Sequence, residues 1–462
     1  MEKISHKPDF RGIFNDKRLD KRAETIAALL MASRSNSVKG ITKNEAEQKG
    51  FYRFLENENV EENRLVEEIQ NRCRINVAGR QVIAIQDSSS IGLSKKRNHL
   101  QKNSGVGLVG NKEGIGFLIH TTLVLDAQDE TMLGFSAMQL WHRKEDKANS
   151  TTQIYKHQPI EEKESYKWIE SSNQSKEVLS DAEGITIVED REGDIYEQFC
   201  LIPDSKTHLV IRSRDDRRLA NNTKLYSYLE EAELSGSYAL KINGDIRKGS
   251  TNRVATIEVR YAKVSITKPQ RVTNKTLPDK IELYVVEARE TGGPNQGSIK
   301  WRLLTTHMVD SFESACRIIH IYQQRWYIEQ VFRLLKKQGF EIESNQLSNG
   351  WAIRKLTVLL LNNILRIMQL LLAYENEESQ CIEEVFSEKE ICCLREIALK
   401  EIINHRYESS KLAWASDIIA RLGGWKGNPR QRPPGPITMK RGLEAFAMIY
   451  KGWSIAKDVS TP

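Results

Sequence analysis

IYQQRWYIEQVFRLLKKQG, residues 321–339, decides how the rest of the chain is read. Its apolar residues recur at helical intervals, which predicts one helix. At about 100° per residue, Tyr322, Arg325, Glu329 and Lys336 fall at roughly 0°, −60°, −20° and −40° around the axis. One carboxylate, two cations and a phenol thus share one stripe. A plain surface helix has no reason to align these types over four turns. A metal ion flanked by phosphates does. One glutamate is too few for such an ion, so further carboxylates are sought elsewhere in the chain.

Two stretches supply them. QVIAIQD (81–87) and GITIVED (184–190) are short apolar, β-branched runs, each ending in an acid, Asp87 and Asp190. Each run reads as a buried strand opening onto polar chain. In an α/β sheet, ligands bind outside the ends of the strands, where such side chains converge. Asp87, Asp190 and Glu329 then form an all-oxygen set suited to a hard divalent ion such as Mg²⁺. Two such ions could serve an in-line displacement at phosphorus, with Arg325 and Lys336 holding the phosphates.

The surrounding pattern fits a mixed α/β protein. Residues 1–75 read as helical, through DKRAETIAALLMASRS, NEAEQKGFYRFLE and EENRLVEEIQNRC. FLIHTTLVLDA and TMLGFSAMQLW read as strands joined at Gln128-Asp129-Glu130, and HLVIRSR as a further strand. Residues from about 220 to 306 read as a β-rich insertion. After Ser311 the chain reads as helical almost to residue 422, and a Gly/Pro-rich loop then leads to a last short helix. The apolar stretch LTVLLLNNILRIMQLLLAY is interrupted by Asn362, Asn363, Arg366 and Gln369, which favours a buried core helix over a membrane span.

Composition bounds the partners. The 462 residues carry 69 Lys/Arg against 62 Asp/Glu, a formal charge of +7. That permits a nucleic-acid partner without demanding one. The ends are more basic: residues 1–53 hold 12 Lys/Arg against 7 Asp/Glu, and residues 421–453 hold 7 against Glu444 alone. The six cysteines lack C-x-x-C spacing and read as reduced thiols. MEKISHKPDFRGIFNDKR has no apolar signal core, so a cytoplasmic location is expected.

The spacing Y-x2-R-x3-E-x6-K resembles the hallmark of the bacterial cut-and-paste DDE transposases of the insertion sequence 4 family. Here it stands as Tyr322, Arg325, Glu329 and Lys336. Asp190-Arg191-Glu192-Gly193-Asp194 matches the family's D-R-E-x-D stretch, and IQDSSS matches the setting of its first acid. FYRFLENENV, LVIRSR, KWRLLTT and IARLGG extend the likeness over roughly residues 8–453.

The resemblance implies an α/β fold: a ribonuclease H-like catalytic core with a β-rich insertion, an N-terminal helical DNA-binding domain and a helical C-terminal region. The implied division is 1–75 for end recognition, 76–375 for catalysis and 376–462 for a helical region with a dimerisation role. Asp87, Asp190 and Glu329 would be the catalytic, metal-binding triad, with two Mg²⁺ ions or Mn²⁺ in their place. Tyr322, Arg325 and Lys336 would contact phosphates at the transposon end, and Arg212 and Arg214 would belong to a DNA-touching strand. Trp301 and Trp326 would handle a base flipped out during hairpin formation, where an aromatic face replaces lost stacking. Lys39, Tyr52 and Arg53 lie in the best-matched part of the end-recognition region, which makes Lys39 and Arg53 candidate DNA contacts. The partners implied are double-stranded DNA, as transposon ends and target, and a second subunit in a synaptic complex; no membrane is involved. Nine residues follow Trp453, so the family's C-terminal dimer contact is expected to be shortened, moved or lost. Two rival readings are a metal-dependent nuclease on the same core and a catalytically silent DNA-binding regulator.

Overall fold

The computed structural model describes residues 8–31, 38–42, 44–110, 114–143, 158–242, 253–292, 299–337, 339–375, 380–400, 407–428 and 433–460. Strands β1 (Gln81–Gly92), β2 (Gly107–Leu108), β3 (Ile115–Asp126), β4 (Met132–Trp141), β5 (Gly184–Glu189) and β6 (Thr207–Arg212) form one half of a ten-stranded mixed sheet. Strands β7 (Gly236–Ile242), β8 (Arg253–Thr267), β9 (Lys280–Thr291) and β10 (Lys300–Thr305) form the other. The spatial order is β2-β3-β1-β5-β6-β10-β9-β8-β7, with β4 also on β3.

Among the described residues, only β1–β5 and β5–β6 pair in parallel. These strands are buried on both faces, which their continuous apolar runs reflect. The segment β4-β3-β1-β5-β6 has the strand order of a ribonuclease H-like core, as expected. The β-rich insertion is not a separate sheet. β10 pairs antiparallel with β6, so β7–β10 extend the central sheet sideways. The alternating burial along β8 is the signature of a sheet with one solvated face.

Helices cover both faces of the sheet at β1 and β5. Residues Val82 and Ala84 of β1 and Ile185 and Ile187 of β5 join the core formed with α5 (Tyr166–Val178) and α6 (Tyr196–Leu201). Ile83 and Ile85 of β1 and Val188 of β5 face the other core, with α8 (Phe312–Gln323), α9 (Trp326–Lys336) and α10 (Gly350–Glu375). Strand alternation therefore puts Asp87 and Asp190 on the α9 side, and Gln86, Ser88 and Glu189 on the α5 side. The short helix α7 (Leu225–Glu231) precedes β7.

The N-terminal helices α1 (Lys17–Met31), α2 (Val38–Ile41), α3 (Glu45–Glu56) and α4 (Glu62–Asn76) share the second core, which runs from Phe10 to Phe446. Helix α10 is its axis. It is long and apolar enough to cross a membrane, yet 83% of its apolar window is buried inside the protein. Its polar residues are stitches. Arg354 makes a fork–fork pair with Glu62 at 2.7 and 2.7 Å. Lys355 Nζ donates to Asn57 O at 2.8 Å, Asn362 accepts from Arg72, and Gln369 Nε2 donates to Met132 O at 2.9 Å. These bonds tie the helix to the layers around it, as buried polar groups usually do, while both amide atoms of Asn363 lack a hydrogen-bond partner among the described residues.

Three expectations need correction. Asp87 does not close its strand, because β3 pairs with β1 all the way to Gly92 and draws Ser88, Ser89 and Ser90 into the ladder. What ends near Asp87 is its parallel neighbour β5. The segment 321–339 is not one helix: the chain breaks at Gln324 and Arg325, where Gln324 N, Arg325 N and Tyr327 N bond three residues back in 3₁₀ fashion. The last helix is not short. After α11 (Glu388–Lys400) and α12 (Leu412–Leu422), α13 runs Pro436–Ser460, started by a proline at its first position. Its Gly442 lets it press on α12, since a Cβ there would stand 1.8 Å from Ile419 O.

Candidate active site

The strand acids are aligned by register. β1 and β5 pair from Gln81↔Gly184 to Ile85↔Val188. Two residues further along the same register, Asp87 stands level with Asp190 on the neighbouring strand. Asp87 Oδ1 accepts from Ser88 N at 2.8 Å. Asp190 Oδ1 caps a 3₁₀ turn, accepting from Glu192 N at 2.7 Å.

The third acid comes from the helical side. Arg325, at the α8–α9 elbow, donates from Nη1 to Asp87 Oδ2 at 3.0 Å and from Nη2 to Glu329 Oε1. One guanidinium therefore ties the strand acid to the helix acid. Tyr322 is buried beside it, its hydroxyl held in the protonated form by burial, and it stacks edge-on to Trp301 with ring centroids 5.4 Å apart. Arg212 lies at the Tyr322 hydroxyl and is in register with Leu303 of β10. Lys336 sits one stage along, its Nζ 3.3 Å from Ser89 Oγ and 4.0 Å from Glu343.

Trp326 is 51% exposed at the start of α9, with the Arg333 guanidinium 5.3 Å from its ring centre. Arg214 is exposed, pairs with Asp215 at 3.4 Å, and donates its backbone N–H to Asp194 at 2.8 Å. Asp194 is fully buried and bonds Arg217 Nε at 3.0 Å, so the second aspartate of D-R-E-x-D braces the turn after β6. Lys39 on α2 and Arg53 on α3 are exposed members of the N-terminal helical layer, and Tyr52 is half-buried against its core. The fold thus gathers Asp87, Asp190, Glu329, Tyr322, Arg325, Arg212 and Trp301 at one edge. It leaves Lys39 and Arg53 on a different layer.

Two neighbours carry no mark in the sequence. Lys167 of α5 lies near Asp190, pairs with Glu192 at 3.4 Å, and sits 5.6 Å from the Trp141 ring. Glu343 accepts from Gly92 N at 2.9 Å beside Lys336. Neither sits in a local motif.

Residues 10–60 match the family described as transposase DNA-binding, and residues 55–364 match the transposase DDE domain. The chain belongs to the DDE transposase family. It is also similar to a solved piggyBac transposase synaptic complex with hairpin DNA, at 9% identity over 97% of this chain and 74% of that one, with a TM-score of 0.40. A DNA-binding domain followed by a DDE domain marks a DNA transposase.

DDE domains generally use divalent metal ions, and the residues here fit one. Burial pushes Asp87 up to about 6 against the pull of Arg325, and the Asp190 and Glu329 carboxylates push the same way. Burial likewise raises Asp190 against its bond from the Glu192 backbone. Crowded, part-buried carboxylates with raised pKa values lack positive charge. Among the described residues, no three acids, histidines or cysteines are already drawn into a tight ligand cluster. The Arg325 guanidinium lies between Asp87 and Glu329 and holds them as a single internal cation would.

Proposed function

We propose that this DDE transposase is of the insertion sequence 4 type, resembling the transposon-five transposase, and that it excises and reinserts a DNA element in a Mg²⁺-dependent reaction. The observation that carries the reading is the level placement of Asp87 and Asp190 on adjacent parallel strands, with Glu329 tied to Asp87 through Arg325. Asp87, Asp190 and Glu329 would hold two Mg²⁺ ions, or Mn²⁺ in their place. The bound ions would supply Lewis-acid activation of the attacking oxygen and stabilisation of the leaving one.

The reaction is phosphoryl transfer repeated at one site. Water attacks phosphorus at the element's end, and the 3′ oxygen leaves as a hydroxyl. That hydroxyl attacks the opposite strand, one P–O bond forming as another breaks, which closes a hairpin. A second water opens the hairpin, and the same hydroxyl attacks target DNA. The roles of this chain's residues follow from their chemistry. Arg325, released from the carboxylates, and Lys336 would grip phosphate oxygens. Tyr322, Arg212 and Arg214 would line the backbone path. Trp301 and Trp326 would receive the base displaced at the hairpin.

Residues 1–75 would recognise the element's end through Lys39 and Arg53, residues 76–375 would cut, and residues 376–462 would support a homodimer in the synaptic complex. The enzyme would work in the cytoplasm on nucleoid DNA. Cleavage of an end-containing duplex by Glu329→Gln is the test. Cleavage is expected to vanish while end binding stays within about twofold, because a helix carboxylate removed by isostere leaves the binding surface intact. A variant that still nicked in Mg²⁺ would remove Glu329 from the site.

A further inference from the structure

The turn between β3 and β4 carries a residue that meets none of the three site acids, yet grips the elbow that carries one of them. Glu130 sits in the left-handed region at φ 61. Its Oε1 accepts from Gln324 Nε2 at 2.7 Å and lies 3.2 Å from His320 Nε2, and its Oε2 accepts from the Tyr327 hydroxyl at 2.7 Å. The three partners lie on α8, in the break, and on α9. One carboxylate therefore spans the break in the helix.

The flanking positions matter. Gln324 precedes Arg325, and Tyr327 stands two residues before Glu329. Between the helices the backbone is held by 3₁₀ bonds with poorer geometry than an α-helix offers. Such a joint needs an outside hold. Arg325 reaches Asp87 on the sheet, and Glu130 holds the joint from the β3–β4 turn of the same sheet. A left-handed non-glycine backbone persists only where its surroundings over-determine it, and here it aims the carboxylate at the joint.

We infer that Glu130 is a positioning residue: by clamping the α8–α9 elbow it sets where Arg325 and Glu329 stand opposite Asp87. This rests on the reading of Asp87, Asp190 and Glu329 as cation ligands. The hold of Glu130 on Gln324 and Tyr327 acts on that set as a supporting shell acts on metal ligands, where small displacements cost affinity and rate.

The test is Mn²⁺ affinity of the full-length protein, read by electron paramagnetic resonance, alongside end-DNA affinity. Glu130→Asn keeps a residue tolerant of the left-handed backbone and withdraws the carboxylate. It is expected to weaken Mn²⁺ binding about tenfold, the range seen for supporting partners of metal ligands. End binding should stay unchanged. Glu130→Gln retains an acceptor at full reach and should recover most of the affinity, which a general loss of stability would not allow. Tyr327→Phe removes the bond to Glu130 Oε2 and keeps the ring; it should weaken Mn²⁺ about threefold, and it decides the matter if Glu130→Asn fails to fold. Glu329→Gln is the reference. Normal Mn²⁺ affinity in Glu130→Asn and Tyr327→Phe, with loss in Glu329→Gln, overturns the role of Glu130 and leaves the site standing. Normal affinity in Glu329→Gln overturns the site itself, and the positioning role with it.

Discussion

Arg325 and Asp87, 238 residues apart in the chain, meet at 3.0 Å, and the same guanidinium also holds Glu329. The site therefore carries its own counter-ion. That cation offsets the crowded acids; a divalent ion held by the same acids would compete with it. Arg325→Gln should raise Mn²⁺ affinity of the DNA-free protein about tenfold, the effect of one partly screened charge near 4 Å. It should also lower the metal-free melting temperature and abolish cleavage. Calorimetry with and without Mn²⁺ checks all but the last, which a nicking assay reads.

Asp87 supplies a pH signature. Its pKa rises from 3.8 to about 6 on folding, chiefly by burial, so between those values the native state binds more protons than the unfolded chain. Stability of the metal-free protein then falls as pH rises across that window and stays lowered above it. Asp87→Asn removes the penalty. Above pH 7 it should stabilise the metal-free protein by on the order of 2 kcal/mol, with the gain gone below pH 4. Thermal melts across pH decide this; added Mn²⁺ should stabilise the wild type alone.

The two tryptophans should separate. Trp326 is 51% exposed, so Trp326→Ala should leave the melting temperature unchanged while hairpin formation drops and first-strand nicking persists. Trp301 packs edge-on against Tyr322, so Trp301→Ala should also cost about 1 kcal/mol in lost ring contact. Gel resolution of nicked and hairpin products, with a melt for each variant, tests both.

Arg354 docks the first helices. Its fork with Glu62, together with its bond to Gly105 O at 3.4 Å, ties α4 and the loop before β2 to α10. Arg354→Ala strands a partly buried glutamate and should destabilise by about 3 kcal/mol. Urea denaturation measures this. Protease cuts should appear first near residues 57–61, between α3 and α4.

Much of this was legible along the chain. GITIVED announced a buried strand ending in an acid, because β-branched runs between polar turns have few other uses. The spacing from Tyr322 to Lys336 announced a charged stripe. The elbow at Gln324-Arg325 did not show, since no proline or glycine marks it and the break depends on contacts to Glu130 and Asp87. The end of β1 does not show in the sequence because ladder partners decide where a strand stops, and the partners of Ser88 to Gly92 on β3 are His120 to Gly116. Asn362 and Gln369 showed as breaks in an apolar run, but their partners lie in other layers.

Local pattern was enough to name most of the segments and to mark candidate acids and cations, because helix and strand periodicity are written in neighbouring residues. Folding alone decided that Asp87 is level with Asp190, that β7–β10 widen one sheet, and that Arg325 reaches back to β1. Those relations depend on register and on crossings between segments hundreds of residues apart, where no short-range pattern records the distance.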